Sequence, residues 1–138
     1  MMHMDMMTSL AGIGAFFAYF AAALGAEAIF LALYMAVTRH DEAALIRAGN
    51  VAASVSLAGA VVGFTLPLAS AMANAASLLD MIVWALVALV VQLAVYLVAG
   101  VLLRGLSQRI ETGDLAAGIS LGTASLAVGI LNAAAMTY

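Results

Sequence analysis

Glu27 stands near the middle of the first long apolar run, within Leu24-Gly25-Ala26-Glu27-Ala28-Ile29-Phe30. An ionised side chain at the centre of a spanning helix costs roughly 2.5–3.5 kcal/mol, so acids there face a bundle interior or a water-filled cavity. A carboxyl so placed can bind and release a proton or a cation. Sixty-five residues later the third apolar run carries Gln92 at the corresponding place, and each of the two is followed twelve residues on by an arginine, Arg39 and Arg104. The second run offers the hydroxyls of Ser54, Ser56 and Thr65 as hydrogen-bond partners, so a neutral Glu27 bonded to one of them or to Gln92 is expected. Gln92 does not titrate. The constellation is therefore either an asymmetric ion or proton path, or an interhelical polar contact that holds two halves of the chain together.

The other residues with chemical potential are weaker candidates. Residues 1–7, Met-Met-His-Met-Asp-Met-Met, combine thioethers and an imidazole, a set that suits Cu(I). His3, third from the amine, could also help chelate Cu(II) or Ni(II). Initiation context and terminal disorder account for the same residues without a metal. His40, beside Asp41 and Glu42, reads as an ordinary loop histidine. Cysteine is absent, which removes thiol chemistry and disulfides. With no His-Glu helix motif, phosphate loop or serine elbow, the sequence assigns no catalytic residue, metal or cofactor.

These residues must be positioned by membrane helices. Of 138 residues 67% are hydrophobic and 8% charged, and the mean hydropathy is +1.21. Four stretches reach the roughly 20 apolar residues that a span needs: about 10–37, 51–73, 78–103 and 115–136. The expectation is an all-α integral membrane protein forming one transmembrane domain over residues 1–138. All four positive side chains, Arg39, Arg47, Arg104 and Arg109, fall in the loops after the first and third spans. Positive loops stay in the cytoplasm, which puts both termini outside. Residues 1–9 lack the Lys or Arg of a signal peptide, so the first span is expected to be retained. Four arginines against seven acids leave no basic patch for nucleic acid.

The halves look duplicated, repeat 1 at about 10–73 and repeat 2 at about 78–136. Residues 46–71 align without gaps on 110–135, matching at Ile46/Ile110, Gly49/Gly113, Ala52/Ala116, Ala53/Ala117, Ser56/Ser120 and Leu57/Leu121. Gly49-Asn50 and Gly113-Asp114 repeat one local mechanism, a left-handed glycine that ends one helix and an Asn or Asp that caps the next. Two spans per repeat give the halves the same orientation, so they form two tandem hairpins in parallel repeat. Residues 41–47 read as a short helix or a solvated connector. Pro67 predicts a kink and a freed Gly63 carbonyl. Ser77 and Asp80 resemble a capping box, and Trp84 an interfacial anchor. Gly59 and Gly63 in the second span, and Gly118, Gly122, Ser125 and Gly129 with Asn132 in the fourth, are small or polar residues of the kind that mark helix contacts in lipid. The partner is either a helix of the same chain or a second copy.

The stretches IRAGNVAASVSLAGAVVGFTLPLASA, SLLDMIVWALVALVVQL and RIETGDLAAGISLGTASLAVGILNAAAMTY closely resemble the YjfL family of small bacterial inner-membrane proteins, a family of unknown function. The likeness runs from about Glu27 to Tyr138, outside the methionine cluster. It implies a four-span plasma-membrane protein and the company of envelope-stress, phage-shock-type and polyamine-related proteins, and it brings no catalytic residue. The functional expectation is a non-enzymatic membrane scaffold or accessory subunit in envelope maintenance, assembled with copies of itself or other membrane proteins. The alternative is a small ion- or proton-conducting protein that uses Glu27.

Overall fold

The computed structural model describes residues 1–137. Its helices are α1 (Met2–Val37), α2 (Glu42–Arg47), α3 (Val51–Asn74), α4 (Leu78–Leu102), α5 (Leu106–Glu111) and α6 (Leu115–Ala135). α1, α3, α4 and α6 are long and apolar enough to cross a membrane, and seven of their eight ends lie within one residue of the expected bounds.

The eighth end is a correction. α1 begins at Met2, so the methionine segment expected to be disordered is helical. Nothing there breaks a helix, and the Thr8 and Ser9 hydroxyls bond back to the Met4 and Asp5 carbonyls. At about 1.5 Å per residue, α1 is roughly 54 Å long against a hydrocarbon core of about 30 Å.

Each six-residue helix, α2 and α5, ends in the same way. Gly49 and Gly113 take φ values of +85° and +83°. The next residue then caps a span: Asn50 Oδ1 accepts from the Ala53 N–H at 3.0 Å, and Asp114 Oδ1 from the Ala117 N–H at 3.4 Å. Asn50 Nδ2 also donates to the Ile110 carbonyl at 2.8 Å, tying the first cap to the end of α5. α4 starts on the Ser77 hydroxyl, which accepts from the Asp80 N–H, while Asp80 accepts from the Ala76 N–H.

α3 and α6 form the centre and run parallel. A Cβ on Gly118 would collide with Ala52, one on Gly59 with the Gly122 backbone, and one on Gly122 would lie 2.8 Å from the Val55 carbonyl oxygen. Further along, Gly63 abuts the Ser125 carbonyl and Gly129 abuts the Gly63 carbonyl, the group that Pro67 leaves without its in-helix donor. The contact partner of the fourth-span stripe is thus α3 of the same chain. α4 packs on both central helices, and α1 lies outside them against α3 and α4.

Two outcomes follow for detergent-solubilised protein. Gly118→Ala should destabilise the fold by about 1–3 kcal/mol through overpacking, seen as a lower unfolding midpoint. Gly25→Ala, with nothing near its Cβ position, should be neutral or mildly stabilising. The bond from Arg109 Nε and the capping N–H groups hold the Asp114 carboxyl below its ordinary range. That stabilisation is present above the unfolded pKa and fades as pH falls through the lowered one. Thermal unfolding of Asp114→Asn should therefore show less acid sensitivity than the wild type.

Candidate functional site

Of the partners expected for Glu27, the structure brings Thr65 to it and leaves Gln92 apart. Glu27 is half-buried, and its Oε2 accepts from the Thr65 hydroxyl at 3.0 Å. Gln92 is buried and donates from Nε2 to the Ser125 carbonyl at 3.1 Å. The physical reason lies in α3. Thr65 reaches toward α1 and Gly63 borders Gln92 and α6, and two residues turn a helix through about 200°, so α3 stands between the two groups. Ser56 bonds within its own helix to the Ala53 carbonyl, and Ser54 makes no side-chain hydrogen bond. Glu27 Oε1 is buried without a partner. One turn further on, Phe30 stacks on Phe64 with ring centres 4.5 Å apart, which places aromatic rings between Glu27 and the arginine-bearing end.

That end holds a cluster that sequence reasoning missed. His40 and Glu42 are 2% and 0% exposed, so the connector after the first span buries these two side chains while Arg39, Asp41 and Arg47 stay exposed. α2, capped by Asp41, turns the Glu42 side chain inward. His40 Nε2 lies 3.3 Å from Glu42 Oε1, at ion-pair distance but without hydrogen-bond alignment. His40 Nδ1 meets the Ser107 hydroxyl at 3.1 Å, and Ser107 meets the Tyr96 hydroxyl at 2.6 Å. Tyr96 in turn accepts from the Arg39 backbone N–H at 3.1 Å. The Tyr34 ring meets Tyr96 edge-on at 6.0 Å, and its hydroxyl is buried without a partner. A relay of His40, Ser107 and Tyr96 thus joins the segment between α1 and α2 to α4 and α5, with Glu42 and Tyr34 packed beside it. Its traces in the sequence were the tyrosines near the arginine ends of the first and third spans. The six-residue α5, which supplies Ser107, was not anticipated.

The relay opens on a cleft of about 670 Å³ bounded by Arg39, Tyr96, Leu97, Ser107, Gln108 and Glu111, among others. Its lining combines the Tyr96 and Ser107 hydroxyls with the charged side chains of Arg39 and Glu111. A second, apolar cleft of about 250 Å³ lies between α1 and α4, lined by Ala22, Gly25, Met81 and Ala85 among others. Among the described residues no group of three or more His, Asp or Glu side chains could hold a metal ion.

A model of a family described as a domain of unknown function, DUF350, matches residues 7–136. This extends the likeness back from Glu27 through nearly all of α1. Tyr138, the last residue of the resembling segment, lies outside the described residues. Two relatives, each called UPF0719 inner membrane protein YjfL, come from Escherichia coli strain K12 and from Escherichia coli O157:H7. Each is 43% identical over 124 residues, which cover 90% of this chain and 94% of the relative. No solved structure matches.

The two acids should respond differently to substitution. Glu42→Ala removes one partner of a buried pair and should cost about 3–5 kcal/mol of stability. Glu27→Gln keeps an acceptor for Thr65 and should cost less than about 1 kcal/mol. Unfolding in mixed detergent micelles measures both.

Proposed function

The chain belongs to the DUF350 family and is a multi-pass protein of the inner membrane; from that premise we propose that it is a non-enzymatic scaffold or accessory subunit in envelope maintenance. In this reading two duplicated hairpins stand in tandem, with the arginine end in the cytoplasm and both termini outside. The repeated Gly-Asn and Gly-Asp caps and the parallel packing of α3 on α6 support the duplication. The arginine loops support the orientation.

One observation carries the functional reading. Every residue from Met1 to Ala18 is exposed, and with Met72 of α3 beside Ala15 and Phe16, the roughly 20 Å of α1 that precedes them stands beyond the packed bundle. Phe16 stacks on Phe20 at 5.6 Å and meets Phe17 edge-on at 5.4 Å, which gives this stave a rigid aromatic face. The glycine stripe, by contrast, is consumed between α3 and α6. An assembly would therefore use α1, through copies of this chain or another membrane protein.

Conduction is the second reading, favoured by the buried, unpartnered Oε1 of Glu27. A proton taken up there would have to pass the Phe30–Phe64 stack to reach the relay at the arginine end.

The chain has no native cysteine, so Phe17→Cys is a clean reporter. Cross-linking in native membranes should capture a dimer or a heteromeric adduct, while Val98→Cys on the lipid-exposed face of α4 should not. Phe17→Cys that remains monomeric would remove the basis for the scaffold role. Dye-reported proton flux in proteoliposomes tests the second reading: flux that disappears in Glu27→Gln would put conduction ahead.

A further inference from the structure

The mouth of the arginine-end cleft holds one cation and one anion that do not pair. Arg39 and Glu111 are both exposed and both line it. The ion pairs among the described residues are His40–Glu42 and Arg109–Asp114, so neither side chain is neutralised by its own protein. Arg39 has its backbone N–H bound to Tyr96 at 3.1 Å, which fixes its main chain beside the cleft that it lines. The lower wall is apolar. Leu97 and Val101 are 56% and 79% exposed and, four residues apart, form one stripe along α4. Gly100 beside them adds no side chain. The cleft therefore joins a two-signed polar mouth to an apolar track that faces the hydrocarbon.

We propose that this cleft binds a zwitterionic aminophospholipid, with its phosphate on Arg39, its primary ammonium on Glu111 and an acyl chain along Leu97 and Val101. Guanidinium groups bind phosphate oxygens through paired charge-assisted hydrogen bonds. Glu111 offers a carboxylate that an ammonium satisfies and an anionic head group does not. A phosphatidylglycerol head group leaves Glu111 opposed to net negative charge, and a phosphatidylcholine head group brings an ammonium without N–H donors. The order of preference is thus set by the two charges together: ethanolamine over choline and glycerol. Gln108 and the Ser107–Tyr96 hydroxyls supply neutral polar contacts to the glycerol esters. The proposal stands apart from the choice between scaffold and conduction, because neither uses the side chains of Arg39 and Glu111.

Native mass spectrometry of the full chain, with phosphatidylethanolamine, phosphatidylglycerol and phosphatidylcholine of matched acyl chains, tests it. The wild type should retain the ethanolamine lipid roughly tenfold better than the glycerol lipid, the equivalent of one charge-assisted hydrogen bond. Arg39→Gln should lose retention of all three lipids. Glu111→Gln should keep binding while closing the gap between ethanolamine and glycerol lipids, and its unchanged thermal midpoint would exclude a folding effect. Equal retention of the three lipids by the wild type, or an unchanged preference in Glu111→Gln, would overturn the proposal. Soluble phosphoethanolamine should not displace the lipid at equal concentration. Displacement would overturn the lipid assignment in favour of a free zwitterion.

Discussion

Backbone-to-backbone contact between α3 and α6 is the constraint on which the rest of the molecule depends. Within a bilayer no gain from water exclusion pulls helices together, so association relies on close packing and interhelical polar contacts. Gly59, Gly63, Gly118, Gly122 and Gly129 remove the side chains that would hold the two helices apart. The approach is close enough that Gly129 covers the Gly63 carbonyl, which Pro67 deprives of its usual donor. A defect in one helix is thereby shielded by the other. Gln92 adds a donor to the Ser125 carbonyl at the same level, fastening α4 to this pair.

With the centre formed by α3 and α6, the outer helices have unequal roles. α4 packs on both central helices, whereas α1 leans on α3 and α4 and leaves one side open. That asymmetry explains why polar residues at matching depths of two spans are placed differently: Gln92 points into the α3–α6 junction and Glu27 meets Thr65 on the other side of α3. It also explains the unattended start of α1. The helix is longer than its neighbours, and its first turns extend beyond the point where Met72 of α3 meets Ala15 and Phe16.

At the arginine end the short helices α2 and α5 act as lids. Each is released by a left-handed glycine and followed by a capped span, and together they fold His40, Glu42 and Ser107 over the ends of α1 and α4. A carboxylate with no exposed surface demands a compensating partner, and His40 is the group in place to provide it. Burial of this kind sets the cluster apart from Arg39 and Glu111 a short way off, which remain exposed and unpaired.

Much of this protein was legible in its sequence, because the signals are local. The length and apolarity of the spans, the Gly-Asn and Gly-Asp caps, the Ser77 start of α4 and the parallel sense of α3 and α6 follow from residue type and near neighbours. The methionine segment shows the limit even of local inference, since nothing there breaks a helix and α1 simply continues to Met2. The polar sites were a different matter. Glu27 and Gln92 occupy matching places along two chain segments, but whether they meet depends on how each helix is rotated and on what stands between them, which only packing decides. The same holds for His40 and Glu42: in sequence they belong to a charged loop, and only the fold of α2 and α5 over the helix ends takes them out of water. Position along a span is written in the chain; the face that a residue presents, and to whom, is set by the close approach of α3 and α6.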